Sequence, residues 1–295
     1  MWGRFNQLGK MTSSFRHRAE FLVLAGLLLS LIGRGVAADI PSNAPSLDSG
    51  FRLLYDLDFD RAHQVFASWQ KEHPDDPMGP AGEAAGLLFS EFSRLGVLES
   101  QFYESDHAFD ARRKFTPDAS LRDRFEAALS QAESRAQARL VQRPKDRDSL
   151  FALTMASGLR ADYAALIEKR NLASLHFTKQ ATSWASQLLA VDPECYDAHL
   201  ATGVSQYIIG SMSAPVRWLV RLGGVSGDKA AGISELQLTA GHGRYLAPFA
   251  RILLAIAYVR EKDKPRAREL LVSLRNDFPQ NPLFGREIGR LDAQR

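Results

Sequence analysis

From about Ser49 to the end of the chain, apolar residues recur three and four positions apart, as in Ala62, Val65, Phe66 and Trp69, and again in Phe249, Ile252, Leu253 and Ile256. That spacing places them on one face of an α-helix. No stretch shows the sustained every-second-residue alternation of a half-buried strand. Prolines fall mostly at the ends of the helical patterns, where a helix can stop. The pattern predicts an all-α chain of many short helices.

Four of the prolines share a second regularity. Ala62 precedes Pro74, Ala132 precedes Pro144, Ala181 precedes Pro193 and Ala267 precedes Pro279, each time by twelve residues. A small residue lets two antiparallel helices approach closely, and a proline twelve residues on ends the second helix after about three turns. Flanking residues extend the match near the C-terminus, where Leu254, Ala255 and Tyr258 precede Ala267, Leu271 and Pro279. The first unit reads Phe59, Ala62, Phe66 and Pro74. The units ending at Pro144 and Pro193 carry Ala136 and Ala185 where a larger filler is usual.

On these residues the body resembles the tetratricopeptide-repeat (TPR) family, with about four degenerate units over most of residues 45–295. The resemblance implies an all-α, TPR-like superhelix of about ten to twelve helices, each pair leaning on its neighbours. Arg251 stands at the usual tryptophan position, a departure from the family pattern. Successive proline spacings of 70, 49 and 86 residues place one surplus around Asp162 to Leu175 and another, an insertion, around 211–229. Leu283, Phe284, Ile288 and Leu291 read as a final helix covering the last unit.

The N-terminus differs from the body. Phe21 to Ile32 is an uncharged apolar run, preceded by basic residues from Arg4 to Arg18 and followed by Gly35-Val36-Ala37-Ala38. A basic segment, an apolar run and a small-residue exit describe a secretory signal peptide, here 1–38 with cleavage after Ala38, then a short linker over 39–48 and the helical domain over 49–295. The alternative is an uncleaved anchor, but Arg34 interrupts the apolar run well short of a span. The expected location is extracytoplasmic, in the periplasm or beyond.

Charge alters the picture once it is placed. The chain is formally +3, yet Arg4, Lys10, Arg16, Arg18 and Arg34, opposed only by Glu20, give residues 1–38 a net +4. The body is therefore close to neutral, without the excess of cations that nucleic-acid binding requires. Arg135, Arg139 and Arg143, followed by Lys145 and Arg147, form a basic stripe that reads as a solvated helix end or a grip for an acidic partner.

Candidate chemistry is sparse. The seven histidines are scattered and include no pair four apart, so no metal site is expected. Cys195 is the only cysteine and reads as a small packing residue among Asp192, Glu194 and Asp197. The Gly223–Gly227 stretch lacks the lysine spacing of a phosphate loop, and Asp228 reads as a helix cap. No cofactor and no catalytic constellation are expected.

The leading expectation is a non-enzymatic scaffold that binds a peptide or protein on the concave face of the superhelix. Residues Tyr207, Arg251 and Tyr258, at first-helix positions, are candidate partner contacts. Leu47 and Phe51 stand where the family's peptide-carboxylate clamp would need Lys and Asn, so that sub-class is not implied. The apolar stretch 207–222, with Arg217, Trp218 and Arg221, is a further candidate, able to meet a partner groove or a membrane surface or to plug the superhelix. The alternative is a helical chamber for a glycan or lipid, lined by aromatics such as Trp184, Trp218 and Tyr245.

Overall fold

The computed structural model describes residues 46–98, 115–212 and 226–293. The expected signal peptide and the Trp218 segment with Arg217 and Arg221 lie outside the described residues. Eleven α-helices occur among the described residues, with no strand. They are α1 (Leu47–Tyr55), α2 (Phe59–Glu72), α3 (Met78–Arg94), α4 (Ala119–Gln142), α5 (Arg147–Asp162) and α6 (Asn171–Val191), followed by α7 (His199–Ser211), α8 (Lys229–His242), α9 (Ala247–Arg260), α10 (Lys264–Asp277) and α11 (Pro282–Ala293). Consecutive helices pair as five hairpins, each stacks on the next, and α11 covers the fifth. First helices also touch one another, α1 with α3 and α3 with α5. The chain is thus an all-α, TPR-like array of helical hairpins.

One chemistry repeats at the joints between hairpins. His73, Arg143, Asp192 and Phe278 end α2, α4, α6 and α10, each with an extended φ between −129° and −138°. A following proline disfavours the helical conformation for the residue before it, so each helix stops there. The proline then opens a turn closed by a backbone bond, as in Asp76 N to His73 O (3.0 Å) and Asn281 N to Phe278 O (3.1 Å). At three joints the last turn residue caps the next helix. Asp76 accepts from Met78 N (2.9 Å), Asp146 from Ser149 N (3.1 Å) and Asn281 from Leu283 N (2.9 Å). At the fourth, Cys195 stands in that place and a short 3-10 turn, Tyr196–Ala198, precedes α7.

In four of the five hairpins the second helix starts on an aspartate; in the third, α6 starts on Arg170 without a side-chain cap. Asp58, Asp118, Asp228 and Asp263 each accept from a backbone N–H three residues on, satisfying a donor the helix itself leaves open. Before two of them, Leu57 and Lys262 take left-handed φ values of 61° and 63°, the conformation that closes the preceding helix.

Ala62, Ala132, Ala136, Ala185 and Ala267 are fully buried and Ala181 nearly so, with Phe66, Leu254, Ala255 and Leu271 also in the core. Pro74, Pro144, Pro193 and Pro279 lie outside that core, at the turns between hairpins. The fourth hairpin, α7 with α8, ends at Gly243 rather than at a proline, so the proline pattern does not register it. Its helices meet through glycine: a Cβ on Gly232 would lie 2.4 Å from Tyr207 N.

The surplus in the third unit lengthens that hairpin, as the spacing predicts. A π-helical turn, Tyr163–Ile167, prolongs α5, and α6 runs for 21 residues. Arg147–Ile167 is long and apolar enough to cross a membrane, but 72% of its most apolar window is buried in the fold. The second surplus falls between α7 and α8, where residues 213–225 are outside the described set.

The basic stripe is spent on the joints. Arg135 donates to Asp76 O (3.1 Å), Arg139 lies 3.7 Å from Asp76 and 3.3 Å from Asp146, Arg143 is 3.3 Å from Asp146, and Arg147 pairs with Asp192. These arginines lace adjacent turns together along one edge.

Substitutions at a turn and at a crossing should have opposite effects. Lys262→Gly relieves a left-handed residue at an exposed turn and should raise stability by up to about 1 kcal/mol in urea unfolding, whereas Ala132→Leu, which adds methylenes at a fully buried crossing, should cost about 1–3 kcal/mol. The Asp162 carboxyl, at the entrance to the π turn, has its pKa pushed up to about 7 by burial. The folded chain then holds a proton that the unfolded chain releases near pH 4, so stability falls as pH rises from about 4 to 7. Asp162→Asn should remove that slope and stabilise the chain at pH 8, with little change at pH 4, when melts are compared.

Candidate functional site

The hydrophobic core forms two clusters. One runs from Leu47 in α1 to Ala198, and the other from Leu236 in α8 to Leu291 in α11. Tyr245 and Leu246 reach across to pack against the first cluster, and Tyr55 against the second. The turn 243–246 between α8 and α9 is the crossing point.

Asp197 holds that turn. It is 5% exposed, and its two oxygens accept from Arg244 N (3.0 Å), Tyr245 N (3.1 Å) and Leu246 N (2.9 Å). Three backbone donors at the start of α9 are satisfied by one carboxylate from the 3-10 turn before α7, where charge also complements the helix dipole. Burial raises the Asp197 pKa, opposed by those same N–H donors and by Arg147. Gly243 is required beside it, because a Cβ there would lie 2.6 Å from the Asp197 carboxylate. Thr239 adds a bond to Tyr196 O (2.8 Å).

The turn fixed in this way meets the first helix. Tyr245 lies 4.8 Å from the Phe51 ring and 6.0 Å from Phe151, between centroids. Tyr55 donates to Tyr245 O (2.9 Å), and Asn281 donates to Tyr55 O (2.8 Å). Burial pushes the Tyr55 hydroxyl far above its ordinary range, so it stays protonated and a donor. Arg244 grips Asp48 with two bonds of 2.8 and 2.7 Å. Arg52 donates to Asp277 O (2.6 Å) and lies over the Phe278 ring at 5.1 Å. Asp48, Phe51, Arg52 and Tyr55 stand at helical offsets of three, four and seven, a single stripe of α1 turned to the last hairpin.

The first helices α3 and α5, expected to line an open concave face, are instead buried along much of their length. From Ser149 to Ser157 every residue of α5 is buried, and in α3 all of Met78 to Leu88 except Glu83. Tyr245 packs on Phe151, and Phe249 lies 5.5 Å from Phe89. Tyr245, considered from sequence as a chamber wall, is packed between Phe51 and Phe151.

The side chains singled out in the sequence are mostly engaged inside the fold. Tyr258 is 8% exposed, accepts a bond from Gln237 (3.0 Å) and carries Arg266 over its ring. Arg251 bonds Ser273 and Asp277, both at 2.7 Å. Both side chains are engaged within the fifth hairpin and its neighbour rather than offered to a partner. Tyr207 is half-buried in α7, its pKa raised by burial. Trp184 packs partly buried against the first cluster. Cys195 is buried, and burial raises its thiol pKa. Among the described residues no group of three potential ligands could hold a metal ion.

Sequence reasoning missed Asp48, Arg52, Tyr55, Asp197, Arg244 and Asn281. The stripe on α1 was a visible signal, since its charged and aromatic residues share a face. Asp197 had none, because its three donors come from residues 47 to 49 positions downstream.

Asp197→Ala should cost about 2–4 kcal/mol in urea unfolding, because three buried donors lose a charged acceptor. Gly243→Ala should also destabilise, by more than Gly241→Ala, where a Cβ meets open space. Equal losses in those two variants would show the close approach at Gly243 to be wrong.

No protein-family model matches this chain, and no curated protein does. Among solved structures, a thermophilic TPR protein of Thermus thermophilus is similar over 83% of this chain and 98% of that one, at 16% identity and a TM-score of 0.42. The helix pairing, the buried alanines at the crossings and the proline-closed joints described above make this chain an all-α array of TPR-like hairpins.

Proposed function

We propose that this chain is a non-enzymatic scaffold that binds a protein or peptide partner. The observation that carries the reading is the stacked-hairpin architecture itself, which presents helix faces to a neighbour at every step and has α1 already seated on one of them. With α3 and α5 buried along much of their length, the docking surface falls on the fifth hairpin, around the Phe278–Asn281 turn and the start of α9. The basic–apolar–small-residue N-terminus supports work outside the cytoplasm, in the cell envelope.

Cross-linking pull-down with the tagged full chain from an envelope fraction tests this. Arg275 and Gln280 are exposed beside the Phe278–Asn281 turn, so Arg275→Glu with Gln280→Glu should reduce capture of a specific protein at least fivefold while leaving the melting temperature unchanged. Capture unaffected by that variant, or co-purification of small molecules alone, would overturn the reading. N-terminal sequencing of the native protein should return Asp39; Met1 or Met11 would remove the export claim.

A further inference from the structure

In the last three hairpins the turns inside a hairpin and the joints that follow it lie at opposite edges of the array, since paired helices run antiparallel. Those edges differ in charge. Counted with three residues on either side, the described residues of the turns after α5, α7 and α9 carry eight cations against five acids. The joints after α6, α8 and α10, counted in the same way, carry two cations against four acids. The positive edge also bears apolar side chains in the open. None of the first ten residues of α6, 171–180, is buried, while Ala181, Ala185 and Leu188 further along are. Leu172 is 86% exposed, and Ile208, in the last turn of α7 at the same edge, is 51% exposed. The start of α6 is nevertheless held firmly. Arg170 N donates to Ala164 O across the π turn (2.8 Å), Ser174 N donates to Arg170 O (2.9 Å), and Ile167 just before them is fully buried.

A single exposed leucine needs no explanation. Bare apolar side chains on a fixed edge of net positive charge point to an occupant that offers both anions and an apolar interior. A lipid leaflet with anionic headgroups has the two in that order, charge outermost and hydrocarbon beneath. We propose that the turn edge of the third to fifth hairpins docks on an anionic lipid surface, with Leu172 and Ile208 entering the headgroup region and cations such as Arg170 and Lys262 meeting the phosphates. The joint edge, where the Phe278–Asn281 turn lies, then faces away from the bilayer and stays open to the partner proposed above. Two apolar side chains and a modest net charge give attachment that is reversible and weakened by salt.

This inference rests on the envelope location proposed above, but its test involves neither export nor a protein partner and so fails separately. The chain beginning at Asp39, the expected mature form, contains every described residue and leaves out the apolar run at 21–32, which would bind lipid by itself. Its co-sedimentation is measured with vesicles of phosphatidylglycerol and phosphatidylcholine in equal parts, and with phosphatidylcholine alone. Binding to the mixed vesicles should be at least tenfold tighter and should weaken as salt is raised. Leu172→Glu with Ile208→Glu, and separately Arg170→Glu with Lys262→Glu, should each reduce it at least fivefold at an unchanged melting temperature. Val141→Glu, at an 84% exposed position close to a joint, should leave it unaltered. Should a charge variant fail to fold, a polarity-sensitive fluorophore on Leu172→Cys gives a second readout, since the native Cys195 is buried. It should brighten at least twofold on mixed vesicles, and the same label on Val141→Cys should not. No binding, equal binding to both kinds of vesicle, indifference to the charge variants, or equal brightening at both labelled positions would overturn the proposal.

Discussion

The carboxylate of Asp197 is the constraint on which the arrangement of this array depends. A buried charge is tolerated only when hydrogen-bonded, and a helix start is tolerated in the interior only when its open N–H groups find acceptors. Each requirement solves the other here. The oxygens of Asp197 take the donors of Arg244, Tyr245 and Leu246, which lets the α8–α9 turn descend among aromatic rings. Without an acceptor there, the polar backbone of that turn would need water, and Tyr245 could not reach Phe51 and Phe151. The ends of the array would then meet only through Arg52, Tyr55, Phe278 and Asn281.

The remaining joints are held by local means. Proline stops a second helix, a short turn reverses the chain, and an aspartate or asparagine starts the next helix. Arginines from α4 and α5 then link neighbouring turns. Each device acts over a few residues or between adjacent hairpins, as expected of a quasi-one-dimensional fold in which each unit mainly meets its neighbours. The contact between α1 and the fifth hairpin breaks that rule, and its side-chain character sets it apart from the close packing elsewhere.

What could be read in advance follows the range of the interaction. The twelve-residue offset from Ala62, Ala132, Ala181 and Ala267 to the following prolines located four hairpins, because both the close crossing and the helix stop are properties of single residues on one unit. The long third hairpin and the capping role of Asp228 were legible for the same reason. The fourth hairpin escaped the pattern because Gly243 replaces the proline and glycine replaces alanine at its crossing. Arg251 and Tyr258 were legible as first-helix residues, but their partners, Ser273, Asp277 and Gln237, lie on neighbouring helices and consume them.

The sequence by itself determined the helical class, the length of each proline-closed hairpin and the residues that end and begin its helices, since propensity, proline sterics and capping act within a turn or two of chain. Only the tertiary structure decided that α3 and α5 are buried along much of their length and that Asp48, Phe51, Arg52 and Tyr55 meet a surface some two hundred residues away. Those contacts depend on the accumulated rotation from hairpin to hairpin. That rotation is a sum of small packing angles that no local pattern records.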